Sequence, residues 1–350
     1  MRAMSNNTPN DERWQSAQAW LEQLELNGGL AIASADASFR RYFRCTLREP
    51  WIDSHARRHE QGAHMILMDA PPLREDTALF ERVTNALGST GLPVPTVFAA
   101  DHDNGFLLLT DFGNQDLLNV LEAHPEQADA WYQQAGSLLY ELQDAPAEVV
   151  DLLPPYDEAR LRTEMQLFID WLWRQHLALE WTAAHQAQWD ALTEILVKSA
   201  LQQPIVAVHR DFHSRNLMVT AEHGIGVIDY QDAMAGPYTY DLVSLLRDCY
   251  IEWPLSQVRA WAVAWLNASR VGQDVNETQR LRWFFLMGVQ RQLKAAGIFA
   301  RLSIRDGKHG YLPDIPRTLN YICAIAGIYP ELAWIAERIE VDCLPGLSSD

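Results

Sequence analysis

The sequence predicts an α+β chain in two lobes, a small antiparallel sheet with one packed helix followed by a mainly helical lobe that carries a β insert. Three observations predict it. Apolar residues come in short β-rich runs as far as Thr110, recur at helical spacing beyond Asn114, and return to strand-like runs between Pro204 and Tyr230. The connector is 109–113, so the first lobe covers residues 1–110 and the second 111–350.

Thr8-Pro-Asn-Asp11 reads as a helix start, with Thr8 as N-cap and Pro9 at the first helical position. Trp14, Ala17, Leu21 and Leu24 follow at helical spacing until Asn27-Gly-Gly29 stops the pattern. Residues 31–68 read as a β-meander with strands over 30–33, 39–47 and 65–68. A helix over 75–87 leads through the turn Gly91-Leu-Pro-Val-Pro95 to strands over 96–99 and 105–110. In the second lobe Trp131, Ala135, Leu138, Leu139 and Leu142 form an apolar stripe, and 161–173, 189–196 and 258–266 form others.

Composition narrows the function classes. With 48% hydrophobic and 21% charged residues the balance is that of an ordinary globular enzyme. A net charge of −18 argues against nucleic acid or an anionic membrane as partner, since both demand basic patches. The polar start lacks the apolar run of a secretory signal, no apolar run is long enough to span a bilayer, and Cys45, Cys249, Cys323 and Cys343 show no metal-ligand spacing. A cytoplasmic, reduced protein is the expectation. Most of the thirteen tryptophans lie in helical patterns, which makes core packing their default role.

The β insert carries the chemistry. It reads His209-Arg-Asp-Phe-His-Ser-Arg-Asn216, then strands over 217–220 and 225–228 around a turn ending in Gly224, then Asp229. A hairpin centred on that turn sets position 216 opposite 229, making Asn216 and Asp229 a cross-strand pair with Cβ atoms roughly 5 Å apart. An amide oxygen and a carboxylate at that separation suit one hard cation such as Mg²⁺. Asp211 lies five residues before Asn216, on the loop entering the hairpin. Phosphoryl transfer needs this set: oxygen ligands for magnesium and a carboxylate to take the attacking hydroxyl's proton. Composition alone would produce His-x-Asp-x₄-Asn on the order of once in a hundred such chains, which is too rarely for chance to be the better account.

These residues resemble the catalytic core of the aminoglycoside phosphotransferase and choline kinase superfamily, whose fold is protein-kinase-like. His213, two residues after Asp211, marks the small-molecule branch, and Gly236-Pro-Tyr-Thr-Tyr-Asp241-Leu242 continues the pattern. The resemblance covers most of the chain from about Ala31 and implies ATP and Mg²⁺ as cofactors, the first lobe as the nucleotide-binding lobe, Asp211 as catalytic base and Asn216 and Asp229 as metal ligands. Asp241, at the start of a helix expected over 242–250, resembles the family's structural aspartate. Asp111-Phe-Gly113 spells a protein-kinase metal motif, but it precedes the His-Arg-Asp element that it should follow. Its place in the connector makes Thr110 and Asp111 candidates for contact with the nucleotide instead.

The departures lie in the first lobe. The family's phosphate-binding lysine should end the strand 65–68, where this chain has Met68-Asp69-Ala-Pro-Pro72, and the partner glutamate falls near Phe80, one place from Glu81. The nucleotide loop, 34–38, holds small residues without a glycine pattern, with Ser38 the candidate contact. Arg40, Arg41 and Arg44 follow, and strand alternation sets Arg40 and Arg44 on one face, where either can replace the lysine; solvated strand arginines are the alternative.

Ala37-Ser-Phe-Arg-Arg-Tyr-Phe-Arg44, Ile66-Leu-Met-Asp-Ala-Pro-Pro72 and Ile228-Asp-Tyr-Gln-Asp-Ala233 are similar to the subgroup that phosphorylates the anomeric hydroxyl of N-acetylmuramate and N-acetylglucosamine in peptidoglycan recycling. That implies a sugar 1-phosphate product. It also implies a cation for the lactyl carboxylate, for which Arg215 and Arg247 are candidates. Two other readings remain open at this level: an aminoglycoside kinase, favoured by net acidity, and a catalytically inactive nucleotide binder, suggested by the absent lysine and opposed by the presence of Asp211, Asn216 and Asp229.

Overall fold

The computed structural model describes residues 11–34, 40–220 and 224–347, so Thr8, Ser38 and the turn 221–223 lie outside the described residues. The chain divides into two compact units, Met1–Asn114 with Val219–Gln231, and Gln115–Met218 with Asp232–Asp350.

In the first unit, helix α1 (Glu12–Gln23) starts on Asp11, whose carboxylate accepts from the Trp14 amide at 2.8 Å. Its apolar stripe, Trp14, Ala17, Trp20 and Leu21, is buried in one core with Phe43, Leu67 and Phe106 from the sheet, while Leu24 is partly buried at its edge. The strands are β1 (Gly28–Ser34), β2 (Arg41–Leu47), a short ribbon β3 (Trp51–Ile52) and β4 (Arg58–His59), then β5 (His64–Asp69), β6 (Val97–Asp101) and β7 (Phe106–Thr110). Five of them form an antiparallel sheet in the order β1-β2-β5-β7-β6. The expected meander runs through β1, β2 and β5, with the ribbon inserted. The last hairpin then enters reversed, β7 beside β5 and β6 outermost, because helix α2 (Thr77–Ser89) carries the chain past the sheet before β6 begins. That helix starts later than the spacing suggests, since Asp76 caps it through the Leu79 amide at 2.9 Å.

Leu217–Thr220 pairs with Gly224–Val227 as the hairpin read from the sequence. Its second strand is fastened within the first unit: the Val227 amide donates to Pro93 O at 2.8 Å, and the Phe112 ring sits so close to Gly226 that a Cβ there would meet it at 2.6 Å.

The second unit is built around one long helix, Glu277–Asp306, which packs on Glu158–Leu167 and its π-helical continuation Phe168–His176, on Ala183–Leu201, on Tyr240–Leu246 and on Ile315–Ala326. The stripes read at 131–142 and 258–266 lie in Ala128–Gln143 and Leu255–Ala268. Strand Ile205–Val208 pairs antiparallel with Met234–Pro237 and delivers the chain to His209. Among the described residues, no helix is long and apolar enough to cross a membrane.

The long helix meets its neighbour most closely at Gly297, where a Cβ would stand 2.4 Å from the carbonyl carbon of Leu167. Backbone cannot yield as a flexible side chain can. Gly297→Ala is therefore expected to lower stability by about 1–3 kcal/mol through overpacking, read as a lower urea midpoint. An unchanged midpoint would mean that the two helices do not approach this closely.

Candidate active site

The loop after Ile205–Val208 is held by carboxylates from further along the chain. Asp241 takes the backbone amides of His209 and Arg210, at 2.6 and 2.9 Å, one on each oxygen. Arg210 has the left-handed φ of +77°, a conformation that an arginine keeps only where its surroundings impose it. Asp248 takes the Ser214 amide at 2.9 Å and the Ser214 hydroxyl at 2.6 Å. The expected helix over 242–250 is Tyr240–Leu246: Arg247 leaves helical geometry at φ −119°, ψ 43°, and the turn that follows lets Asp248 reach the loop. Asp241 is thus a first-turn residue whose carboxylate serves the loop.

Between these anchors Asp211 is half-buried, its amide donating to His209 Nδ1 at 3.2 Å. Burial alone would push its carboxyl up, but Lys294, His213, Arg291 and Arg210 surround it with positive charge and hold it below the usual carboxylate range. These cations belong to a buried polar layer. Arg210 forms an ion pair with Glu164, which also accepts from the Tyr156 hydroxyl. Lys294 Nζ donates to Tyr240 Oη at 3.0 Å and lies 3.8 Å from Glu164, and Gln290 donates to Tyr156 Oη at 3.0 Å. A carboxylate kept ionised at a loop tip is what a general base for a hydroxyl proton requires.

Asn216 and Asp229 differ from the expected ladder pair. The strands end at Leu217 and Val227; Asn216 belongs to the 3₁₀ turn Ser214–Asn216, and Asp229 has the left-handed φ of +69°. Neither is a ladder residue, so strand pairing does not set the separation of the two side chains. Asn216 Nδ2 donates to Asp211 O at 3.0 Å, which commits the amide nitrogen to the loop and turns its oxygen away from it. Asp229 Oδ1 accepts from Gln231 Nε2 at 2.5 Å. Among the described residues no group of three or more His, Cys, Asp or Glu could hold a metal ion. An amide oxygen and a carboxylate are each ligand types that magnesium takes, alongside phosphate and water.

In the first unit, Arg40 pairs with Glu75 at 2.6 Å. Arg44 grips Asp111 through two nitrogens and reaches Asn114 Oδ1 at 2.6 Å, so two candidate nucleotide contacts are bound to each other. The Thr110 hydroxyl accepts from the Thr96 amide at 3.0 Å. Where the family lysine was expected, Asp69 ends β5 with 1% exposure and receives both Arg13 and Arg41, at 2.6 and 2.8 Å. Glu81 pairs with His102 at 2.9 Å. Of the two candidate substrate cations, Arg215 is exposed and lies 3.6 Å over the Tyr250 ring. Arg247 is buried, donates to Tyr321 O at 2.5 Å, and lines a cavity of about 430 Å³ to which no residue of 209–216 contributes.

Sequence reasoning missed Glu164, Asp248, Arg291 and Lys294. Gln290-Arg-Gln-Leu-Lys294 did offer a signal, a polar run inside a helix whose neighbours are apolar on all sides.

Residues 30–284 match the phosphotransferase enzyme family. The chain is 41% identical over 346 residues to an N-acetylmuramate/N-acetylglucosamine kinase of Pseudomonas aeruginosa, covering 94% of this chain and 96% of the relative. A protein of the same name from Neisseria meningitidis is 42% identical over 321 residues, covering 90% and 91%. Among solved structures, an ethanolamine kinase of Plasmodium vivax superposes with a TM-score of 0.62 at 10% identity over 94% of this chain and 93% of the other. A thermostable mutant of an aminoglycoside phosphotransferase gives 0.56 at 17% identity over 89% and 99%. At these identities the structural likeness establishes the fold, which is the protein-kinase-like one that the sequence predicted.

Burial pushes Asp241 up to about 6, against the pull of His209 and the two amides. With the folded value above the unfolded one, its contribution to stability is complete below about pH 4 and is lost as pH rises through about 6. Asp241→Asn does not titrate, and it sets an amide donor against one of the loop N–H groups. The variant's deficit against wild type should therefore be largest near about pH 4.5 and shrink toward about pH 8, measured by chemical denaturation at both. A deficit that grows with pH would show the ionised carboxylate to be the stabilising form.

Proposed function

Because this chain belongs to the phosphotransferase enzyme family, we propose that it transfers the γ-phosphoryl group of ATP to the anomeric hydroxyl of N-acetylmuramate or N-acetylglucosamine, releasing the sugar 1-phosphate. The observation that carries the substrate is the identity of about two residues in five, over nearly the whole of both chains, with kinases named for these two sugars.

The residues support the chemistry in a direct way. Asp211 is the base: an ionised carboxylate on an anchored loop, placed to take the proton as the acceptor oxygen attacks phosphorus. A hemiacetal hydroxyl is more acidic than other sugar hydroxyls, so a base held below the usual carboxylate range still accepts its proton. Asn216 and Asp229 are the residues we assign to magnesium, which when bound neutralises charge on the transferring phosphate. For the nucleotide, the reading keeps Ser38, Arg40, Arg44, Thr110 and Asp111 as contacts. The pairs Arg40–Glu75 and Arg44–Asp111 fix where the two guanidinium groups stand.

Two outcomes check this. Asp211→Asn should leave nucleotide affinity near wild type while lowering kcat by about 10²–10⁴, the usual contribution of a positioned base. Retention of more than about a tenth of wild-type kcat would remove Asp211 from that role. Borohydride-reduced N-acetylmuramate, an open chain whose C1 is a primary alcohol and no longer a hemiacetal, should not be phosphorylated. Turnover of the alditol at the rate of the sugar would show that a hemiacetal hydroxyl is not what is read, and consumption of an aminoglycoside in place of either sugar would replace the substrate assignment.

A further inference from the structure

The loop that carries Asp211 holds two arginines with opposite fates. Arg210 goes down to its ion pair with Glu164. Arg215 stays at the surface, with its guanidinium carbon 3.6 Å from the centroid of the Tyr250 ring. That ring is itself fixed. It is half-buried, meets the His213 ring edge-on at a centroid distance of 5.2 Å, and packs on the buried Phe299 at 6.2 Å. Its backbone is fixed as well, since the Tyr250 amide donates to Asp248 Oδ1 at 2.9 Å while Asp248 Oδ2 holds Ser214. Arg215 therefore rests on a surface that is tied to its own loop.

The donors of Arg215 are not used within the protein: among the described residues no carboxylate or carbonyl accepts a hydrogen bond from it. Asp314 lies within its field, but that carboxylate accepts from Arg317 Nη1 at 3.0 Å. Other cations of this unit are committed, Arg317 also to Cys249 O at 2.8 Å, Arg247 to Tyr321 O and Lys294 to Tyr240 Oη. At 3.6 Å the Arg215 guanidinium lies along the face of the ring, so its N–H groups point outward in its own plane. That is the arrangement that receives a carboxylate in two parallel hydrogen bonds.

The loop also sets how far Arg215 stands from the base. Four residues of extended chain would span about 14 Å. Here the segment is coiled, with the His213 amide on Asp211 O at 3.0 Å, the Asn216 amide on His213 O at 2.9 Å and Asn216 Nδ2 on Asp211 O at 3.0 Å. In N-acetylmuramate the anomeric hydroxyl and the lactyl ether are two carbons apart on one ring. A sugar that presents the first to Asp211 carries the second within reach of a side chain from the same coil.

Resting on the function proposed above, we infer that Tyr250 presets the guanidinium of Arg215 as the receptor for the lactyl carboxylate of N-acetylmuramate, and that this stacked pair sets the preference for the acidic sugar over N-acetylglucosamine. An arginine already laid on a ring has given up much of its rotamer freedom, so less is lost when a carboxylate arrives. N-acetylglucosamine lacks the lactyl group and makes no use of the pair. Arg215 is the specificity residue and Tyr250 its positioning residue.

The test compares N-acetylmuramate with its methyl ester, which removes the charge without altering the protein. For the wild type, kcat/KM should fall by about 5- to 50-fold on esterification, between an exposed ion pair and a buried charge-assisted one, and the fall should lie mainly in KM. In Arg215→Gln the ratio of acid to ester should collapse toward one. Tyr250→Phe, which keeps the ring face, should retain the wild-type ratio, and Tyr250→Leu, which removes it, should lose most of it. Any general disturbance of the loop affects both substrates and cancels in the ratio. An ester as good as the acid in the wild type would overturn the inference, and so would a ratio that survives Arg215→Gln. A full ratio in Tyr250→Leu would overturn the role of the stack. Should Tyr250→Leu fail to fold, Tyr250→Phe still decides on that role, because loss of the ratio there would show that the ring face is not what holds the arginine. A wild type that phosphorylates neither sugar would instead overturn the function on which the inference rests.

Discussion

The active loop depends on one interaction, the grip of Asp241 on two consecutive backbone amides. His209 and Arg210 present their N–H groups to the same carboxylate, and Arg210 then turns into the left-handed region. That turn reverses the chain, so that the Arg210 side chain goes down to Glu164 and the next residue, Asp211, goes up to the tip. Arginine has no intrinsic liking for this conformation, and the two hydrogen bonds to a buried carboxylate offset its cost. The Ser214–Asp248 contact repeats the device five residues after His209 and holds the other end of the loop.

Beneath the loop the protein buries charge on purpose. Arg210, Arg291, Lys294 and Glu164 would each be costly alone, and a layer of apolar side chains would be the more stable solution. What the charged layer supplies is a positive field at Asp211 that outweighs the effect of burial. The half-buried Asp211 carboxylate thus remains ionised. Gly297 contributes indirectly, since its missing side chain lets the long helix lie against the Leu167 backbone and places Arg291 and Lys294 under the loop. Part of the stability of the fold is given up so that one carboxylate has the right charge in the right place.

The motif stands out in the sequence because phosphoryl transfer demands particular residue types at fixed spacing. His209, Asp211, Asn216, Asp229 and Asp241 could be named from the sequence, and so could the two-lobed α+β architecture, because period-two and helical patterns separate cleanly at Asn114. What was not legible depends on where side chains end. Strand pairing was extended one and two residues too far, to Asn216 and Asp229, because nothing in the composition marks the 3₁₀ turn or the positive φ that stop it. The helix after Asp241 was drawn too long for a related reason: Asp248 is claimed by Ser214, a contact between residues 34 apart in sequence. Asp69 and Arg41 looked like a departure from the family pattern and prove to be an ion pair. The buried cations of the long helix were passed over because charge within an apolar helix is read as a solvated face unless the fold is known.

All of this converges on one claim, that Asp211 sits where an anomeric hydroxyl gives up its proton to become a phosphate ester. The most direct measurement is the ³¹P spectrum of the product formed from ATP, magnesium and N-acetylmuramate, with proton coupling retained. The account predicts a single new phosphomonoester resonance split by the one anomeric proton, and no such resonance with Asp211→Asn over the same period. A resonance split by two methylene protons, or the same product formed at an undiminished rate by the variant, would contradict it.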